Sequence, residues 1–234
     1  MKIVHKITFL FLLFCLNGNA QTNQDSLVLK LRLQFDGKEI IKETNYISAQ
    51  KDTLTFESIR FYLSDFQFTY KDKSTYKEPN SYHLIDFYIP ETLNLTFKPQ
   101  NGKEIESIQY NIGIDSLASV SGAMEGDLDA TKGMYWAWQS GFINMKIEGK
   151  SNSCKTRNNK FQFHIGGYLE PYYAIREIEI PIEKFQIPNN ELIIQVDLAK
   201  IFNIIKLNET NTIMIPGNEA IKIADLLTKM FSVE

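Results

Sequence analysis

Both tryptophans of the chain, Trp136 and Trp138, lie in one short run, Gly133-Met134-Tyr135-Trp136-Ala137-Trp138-Gln139-Ser140-Gly141. Two residues apart, their indoles share a face wherever the backbone is extended. Met134 beside them carries a thioether, a soft donor. Farther on stands Phe161-Gln162-Phe163-His164-Ile165-Gly166-Gly167. At period two, Phe161, Phe163 and Ile165 form an apolar stripe, and Gln162 and His164 point to the other side. The glycines that follow allow another segment to approach closely, or a sharp turn. A second imidazole, His83, sits in Tyr82-His83-Leu84-Ile85-Asp86, and the third, His5, falls in an N-terminal leader. Imidazole and thioether can ligate a metal ion, and an indole face attracts a cation. The same residues have plainer uses. A strand histidine is commonly a hydrogen-bonded structural group, and a tryptophan pair is commonly an aromatic plug in a core.

Other chemistry is hard to find. There is no glycine-rich phosphate loop, no His-Glu-x-x-His, no Gly-x-Ser-x-Gly and no Cys-x-x-Cys. No serine is singled out as a partner for either mature histidine, and no carboxylate pair stands out among the 28 acidic residues. The expectation is a binding protein and not an enzyme. A net charge of −3 argues against a nucleic-acid surface, which needs clustered Lys and Arg. Beyond the leader Cys154 is the lone cysteine, so no intramolecular disulfide can form. It lies in the polar stretch 150–160 and reads as a loop residue or a site of accidental dimerisation.

These residues must be positioned by strands. Leu27, Leu29, Leu31, Leu33 and Phe35 alternate with Val28, Lys30, Arg32 and Gln34, the pattern of a half-buried strand. Ile59, Phe61 and Leu63 continue the theme. The phase slips at Ser64-Asp65 and resumes at Phe66, Phe68 and Tyr70, which implies a bulge. Further strands are expected at 82–88, 93–97, 108–114, 143–147, 161–165, 178–182 and 192–198. Helix signals are few: a turn at 115–121, a helix over 198–205 capped by Asp197, and a C-terminal helix over 218–231 with Asn218 as N-cap. With 16 Phe, 11 Tyr and no Pro- or Gly-rich linker, the chain reads as one all-β domain, an antiparallel β-sandwich or barrel-like fold with a short C-terminal helix.

The first twenty residues read as a signal peptide. Lys2 and Lys6 are its positive end, and residues 7–16 form an apolar run too short to span a membrane. Gly18 and Ala20 place small side chains at the cut, which is expected after Ala20. Phe14 before Cys15 argues against lipidation. The mature chain, 21–234, is expected to be periplasmic or secreted, with no transmembrane segment.

The tryptophan run, preceded by Gly126-Asp127-Leu128-Asp129 and followed by Phe163-His164-Ile165-Gly166-Gly167, resembles the MbnP-like family. Phe61-Tyr62-Leu63-Ser64, Tyr82-His83-Leu84-Ile85-Asp86 and Ile112-Gly113-Ile114-Asp115 carry the likeness along most of the mature chain, weakest after about residue 187. The resemblance implies an exported β protein concerned with copper handling or acquisition, with copper as its metal. It also implies a tryptophan oxidisable to kynurenine and a di-haem MauG-like oxidase as partner. Carried over, His164 matches a copper-ligating histidine, and Trp136 or Trp138 the oxidisable position. The family's histidine two residues from that tryptophan is missing, because the pair here is Trp-x-Trp. Met134 and His83 are the candidates to complete a metal site, and His164 is expected to meet the indoles at one surface pocket. The alternative is a metal-free structural or binding module of the same fold.

Overall fold

The computed structural model describes residues 26–234, apart from 101, 123, 140 and 183–186; the expected leader and its cut after Ala20 lie outside the described residues. Strand β1 (Leu27–Phe35) follows its alternation, with Leu27, Leu29, Leu31, Leu33 and Phe35 all buried. Two short strands, β2 (Lys38–Glu39) and β3 (Tyr46–Ile47), lead to β4 (Thr53–Tyr70), which runs for 18 residues. Then come β5 (Thr75–Lys77), β6 (Tyr82–Asp86), β7 (Asn94–Phe97) and β8 (Ile105–Ile112). Helix α1 (Ser116–Ser121) and the brief β9 (Tyr135–Trp136) precede β10 (Gly141–Ser151) and β11 (Lys160–Gly166). The chain closes with β12 (Arg176–Pro181), β13 (Glu191–Asp197), α2 (Ala199–Phe202), β14 (Thr212–Ile213), α3 (Asn218–Leu227) and β15 (Phe231–Val233).

Two sheets result. The smaller runs β15-β13-β1-β2, with β7 also on β1; the larger is built on β4. At Phe61 both Ile85 of β6 and Met145 of β10 pair with β4, and at Leu63 both His83 of β6 and Ile112 of β8 do so. A strand has two edges, so β10 and β8 share one edge of β4, end to end, and β6 holds the other. The main core fills the space between the sheets: Phe35 meets Phe56 at 6.1 Å, and Phe61 meets Phe231 at 5.8 Å between ring centroids. The bulge expected at Ser64-Asp65 is present. Ser64 faces Asn111 and Gln67 faces Gln109, so β4 carries one residue more than β8, and Asp65 adopts φ 59° to absorb it.

The all-β sandwich is as expected, with three differences in detail. β1 pairs with β13 in parallel, and so does β11 with β14; β13 arrives after the whole larger sheet, so no hairpin fixes its direction. Asp197 is not the N-cap of α2: Leu198 holds that position with no side-chain cap, and Asp197, one residue earlier, accepts from Ala199 N at 3.0 Å; the helix ends at Phe202, short of the expected residue 205. α3 starts at Asn218 itself, with Gly217 before it and no side-chain cap. It does not reach Phe231. That residue opens β15 and pairs with Val196, because the free edge of β13 supplies backbone partners that a helix end lacks.

The outer face of the larger sheet carries a second apolar cluster, formed by Tyr62, Leu84, Ile114, Ala118, Leu128, Met134, Trp136, Phe142 and Ile143. Residues 114–139 lie over it. Asp115 caps α1 by accepting from Ala118 N at 2.8 Å. Asp127 fastens the middle of the segment: its Oδ2 accepts from Leu84 N at 3.0 Å and its Oδ1 from Lys132 Nζ at 2.7 Å, while its carbonyl accepts from the Tyr62 hydroxyl at 2.9 Å. Thus Gly126-Asp127-Leu128-Asp129 serves as the fastening of the segment that holds the tryptophans.

Candidate functional site

His164 and its strand neighbours decide which groups can meet. In β11 Phe161, Phe163 and Ile165 belong to the main core, so Gln162, His164 and Gly166 face outward, toward the second cluster. His164 is buried all the same, at 6% exposure. Its Nε2 lies 2.8 Å from Glu148 Oε1 on β10; the same oxygen takes Gln162 Nε2 at 3.2 Å, and Lys146 Nζ stands 3.8 Å away. The His164 hydrogen bond, opposed by desolvation and aided by Lys146 and Gln162, holds the Glu148 carboxyl down at about 2. This is a satisfied polar group of the outer face.

His83 stands elsewhere. It pairs with Leu63, which lies in the main core, and its ring packs edge-on against Phe66 and Phe97 at 5.6 and 5.7 Å. Its Nε2 lies 2.8 Å from Glu78 Oε2, which also accepts from Ser81 Oγ. His83 and His164 therefore occupy opposite faces of one sheet and cannot share an ion. Met134 is fully buried in the second cluster, with its thioether packed among apolar groups. Among the described residues no group of three or more His, Cys, Asp and Glu is placed to hold a metal. The residues present do not fit a two-nitrogen copper site, because the second imidazole is across the sheet from the first.

The two indoles part company. Only Tyr135–Trp136 is extended; residues 137–139 form a turn, which rotates the second ring away from the first. Trp136 is 6% exposed and Trp138 64%, with centroids 6.1 Å apart at 51°. Trp136 leans on the backbone at Gly166, where a Cβ would meet its Cζ3 at 2.8 Å. The close approach expected of Gly166-Gly167 is thus made by Trp136. Gly167, at φ +139°, turns the chain under Tyr172 and Pro216.

Trp136 then floors a cleft of about 180 Å³, with Tyr168, Leu169, Glu170, Tyr172, Pro216 and Gln139 around it. His164 does not line it, contrary to the expected convergence at one pocket. Tyr168, Glu170 and Tyr172 went unremarked in the sequence. The signal available was their place directly after Gly166-Gly167, in Tyr-Leu-Glu-Pro-Tyr-Tyr. Cys154 is no surface thiol either: it is 2% exposed, and burial with help from Asp52 pushes it up to about 11.

A two-sheet β-sandwich with a second cluster under a tryptophan-bearing segment is the class of protein this arrangement defines. A family model described as MbnP matches residues 24–215, and the chain belongs to that family. Among solved structures it is similar to MbnP from Methylosinus trichosporium, with a TM-score of 0.65 and 12% identity over 89% of this chain and 97% of that one. No curated protein sequence matches it. Among the described residues no helix is long and apolar enough to cross a membrane.

Proposed function

We propose that the chain is an exported, non-catalytic binding protein, released after Ala20 and working outside the cytoplasmic membrane, whose binding surface is the tryptophan-floored cleft and its rim. One observation carries this. The cleft is lined largely by apolar and aromatic side chains, Trp136, Tyr168, Leu169, Tyr172 and Pro216, and of these Leu169 and Tyr172 are left exposed. Contacts between segments hold the walls together. Ser116 Oγ of α1 donates to Tyr168 O at 2.7 Å, the Tyr168 ring covers Gly141, and Gly167 lies between Tyr172 and Pro216. An apolar cleft with a few polar groups in its walls is the usual form of a binding site.

Copper handling, with kynurenine made by a di-haem MauG-like oxidase, is the second reading. What favours it is that His164 and Gly166, which carries Trp136, lie two residues apart on one face of β11. The opposed position of His83 and the packing of the Met134 thioether among apolar groups weigh against it. Copper(I) titration under a competing chelator, with melting curves, separates the two. Wild type and His164→Ala should take up copper equally while the mutant melts lower. One tightly held copper per chain, lost in His164→Ala, would overturn the binding-module reading.

A further inference from the structure

The polar side chains that line the cleft share one property. The Glu170 carboxylate, the Gln139 amide and the Tyr168 and Tyr172 hydroxyls make no hydrogen bond or ion pair with any described residue. The neighbouring pocket at the other side of α1 is different: its Asp65 pairs with Lys77, its Glu78 with His83 and Ser81, and its Asp115 with Tyr82. Among the described residues, no lysine or arginine lines the Trp136 cleft, and Glu170 is the one charged group in its walls.

From the three aromatic rings around an unpaired carboxylate we infer that the cleft takes an alkylammonium group, either a small quaternary amine or the side chain of a methylated lysine. The inference rests on the cleft being the binding surface. Aromatic faces are negative, so Trp136, Tyr168, Tyr172 and Glu170 all act in the same sense on a cation, most strongly where water is excluded. Carboxylates dominate the surroundings too. The Tyr173 phenol, raised chiefly by burial, is raised further by Asp115 and Glu170, and Arg176 offsets only part of this. A sugar is the weaker candidate. Being uncharged, it would gain nothing from the Glu170 carboxylate.

The probes are choline, its uncharged isostere 3,3-dimethylbutan-1-ol, Nα-acetyl-trimethyl-lysine amide and glucose, followed by tryptophan fluorescence and calorimetry on the mature chain. Choline should bind about ten-fold more tightly than the isostere. Glu170→Gln and Tyr172→Leu, both at exposed positions, should each weaken it by about three-fold or more with no change in melting. Binding of the lysine derivative as well as choline assigns the site to protein ammonium groups, and binding of choline alone assigns it to a free amine; either supports the inference. Equal binding of choline and the isostere, indifference to Glu170→Gln, or a response to glucose alone would overturn it. Those outcomes leave the binding-module reading standing, since that falls on copper titration and not on the ligand's charge.

Discussion

Replacing His164 with Ala removes the hydrogen bond that most depresses Glu148 and leaves a partly buried carboxylate with poorer partners. A hydrogen bond to a charged group contributes about 1.5–3 kcal/mol. Gln162 at 3.2 Å and Lys146 at 3.8 Å remain to satisfy Glu148, and the Glu148 side chain keeps 24% of its surface in water, so about 1–2 kcal/mol is the expected loss near neutral pH. For a chain of this size that lowers the melting temperature by about 2–8 °C. The pH dependence is the sharper test. Glu148 sits at about 2 in the fold against an ordinary 4.5, so its ionised form contributes stability that is fully present above 4.5 and is lost as pH falls toward 2. The deficit of the mutant should therefore be constant at neutral pH and shrink through that acid window. Denaturant melts of both proteins across a pH series give the result. A deficit unchanged down to the lower limit, or no deficit at all, would refute the assignment of His164 to Glu148.

Three further outcomes follow from the packing. Asp127→Ala removes the acceptor of Leu84 N and the anchor of Lys132; it should cost about 1–3 kcal/mol in a denaturant melt and speed proteolysis within 122–140. Gly166→Ala brings a methyl group to 2.7 Å from Phe142 O and 2.8 Å from the Trp136 ring; the expected loss is about 1–3 kcal/mol, with a red shift of tryptophan emission as Trp136 is pushed toward water. Cys154, buried and held at about 11, should resist a thiol reagent in the native protein and react in denaturant, and a disulfide-linked dimer should not accumulate in air.

How much of this was legible in the sequence depends on how many faces of a strand meet apolar partners. β1 has one buried face, and its alternation gave both its bounds and its orientation. The slip at Ser64-Asp65 was readable because the residues on either side of it alternate cleanly. β6 was opaque: Leu84 and Ile85 are both buried, on opposite faces, since both sides of the sheet are covered there. Parity within the strand then says nothing about where His83 points, and only its pairing with Leu63 places it on the far side from His164. The cleft was hidden for another reason. Trp136 and Tyr172 belong to segments joined only when Gly166-Gly167 lets them close on each other, and local pattern does not encode that contact.

The Trp-x-Trp pair is best understood from what each ring does for the fold. Trp136 is a member of the second cluster, together with Met134, Phe142 and Tyr62, and Asp127 ties the covering segment to β6. Apolar burial and charge-assisted hydrogen bonds thus close this side of the molecule, and the Met134 thioether, a donor a soft metal would want, is already used in packing. Trp138 contributes to none of this. It is carried by a turn, stands 64% exposed, and touches Trp136 alone among the aromatic rings of the described residues. The position two residues from the buried tryptophan thus presents an exposed indole and no imidazole.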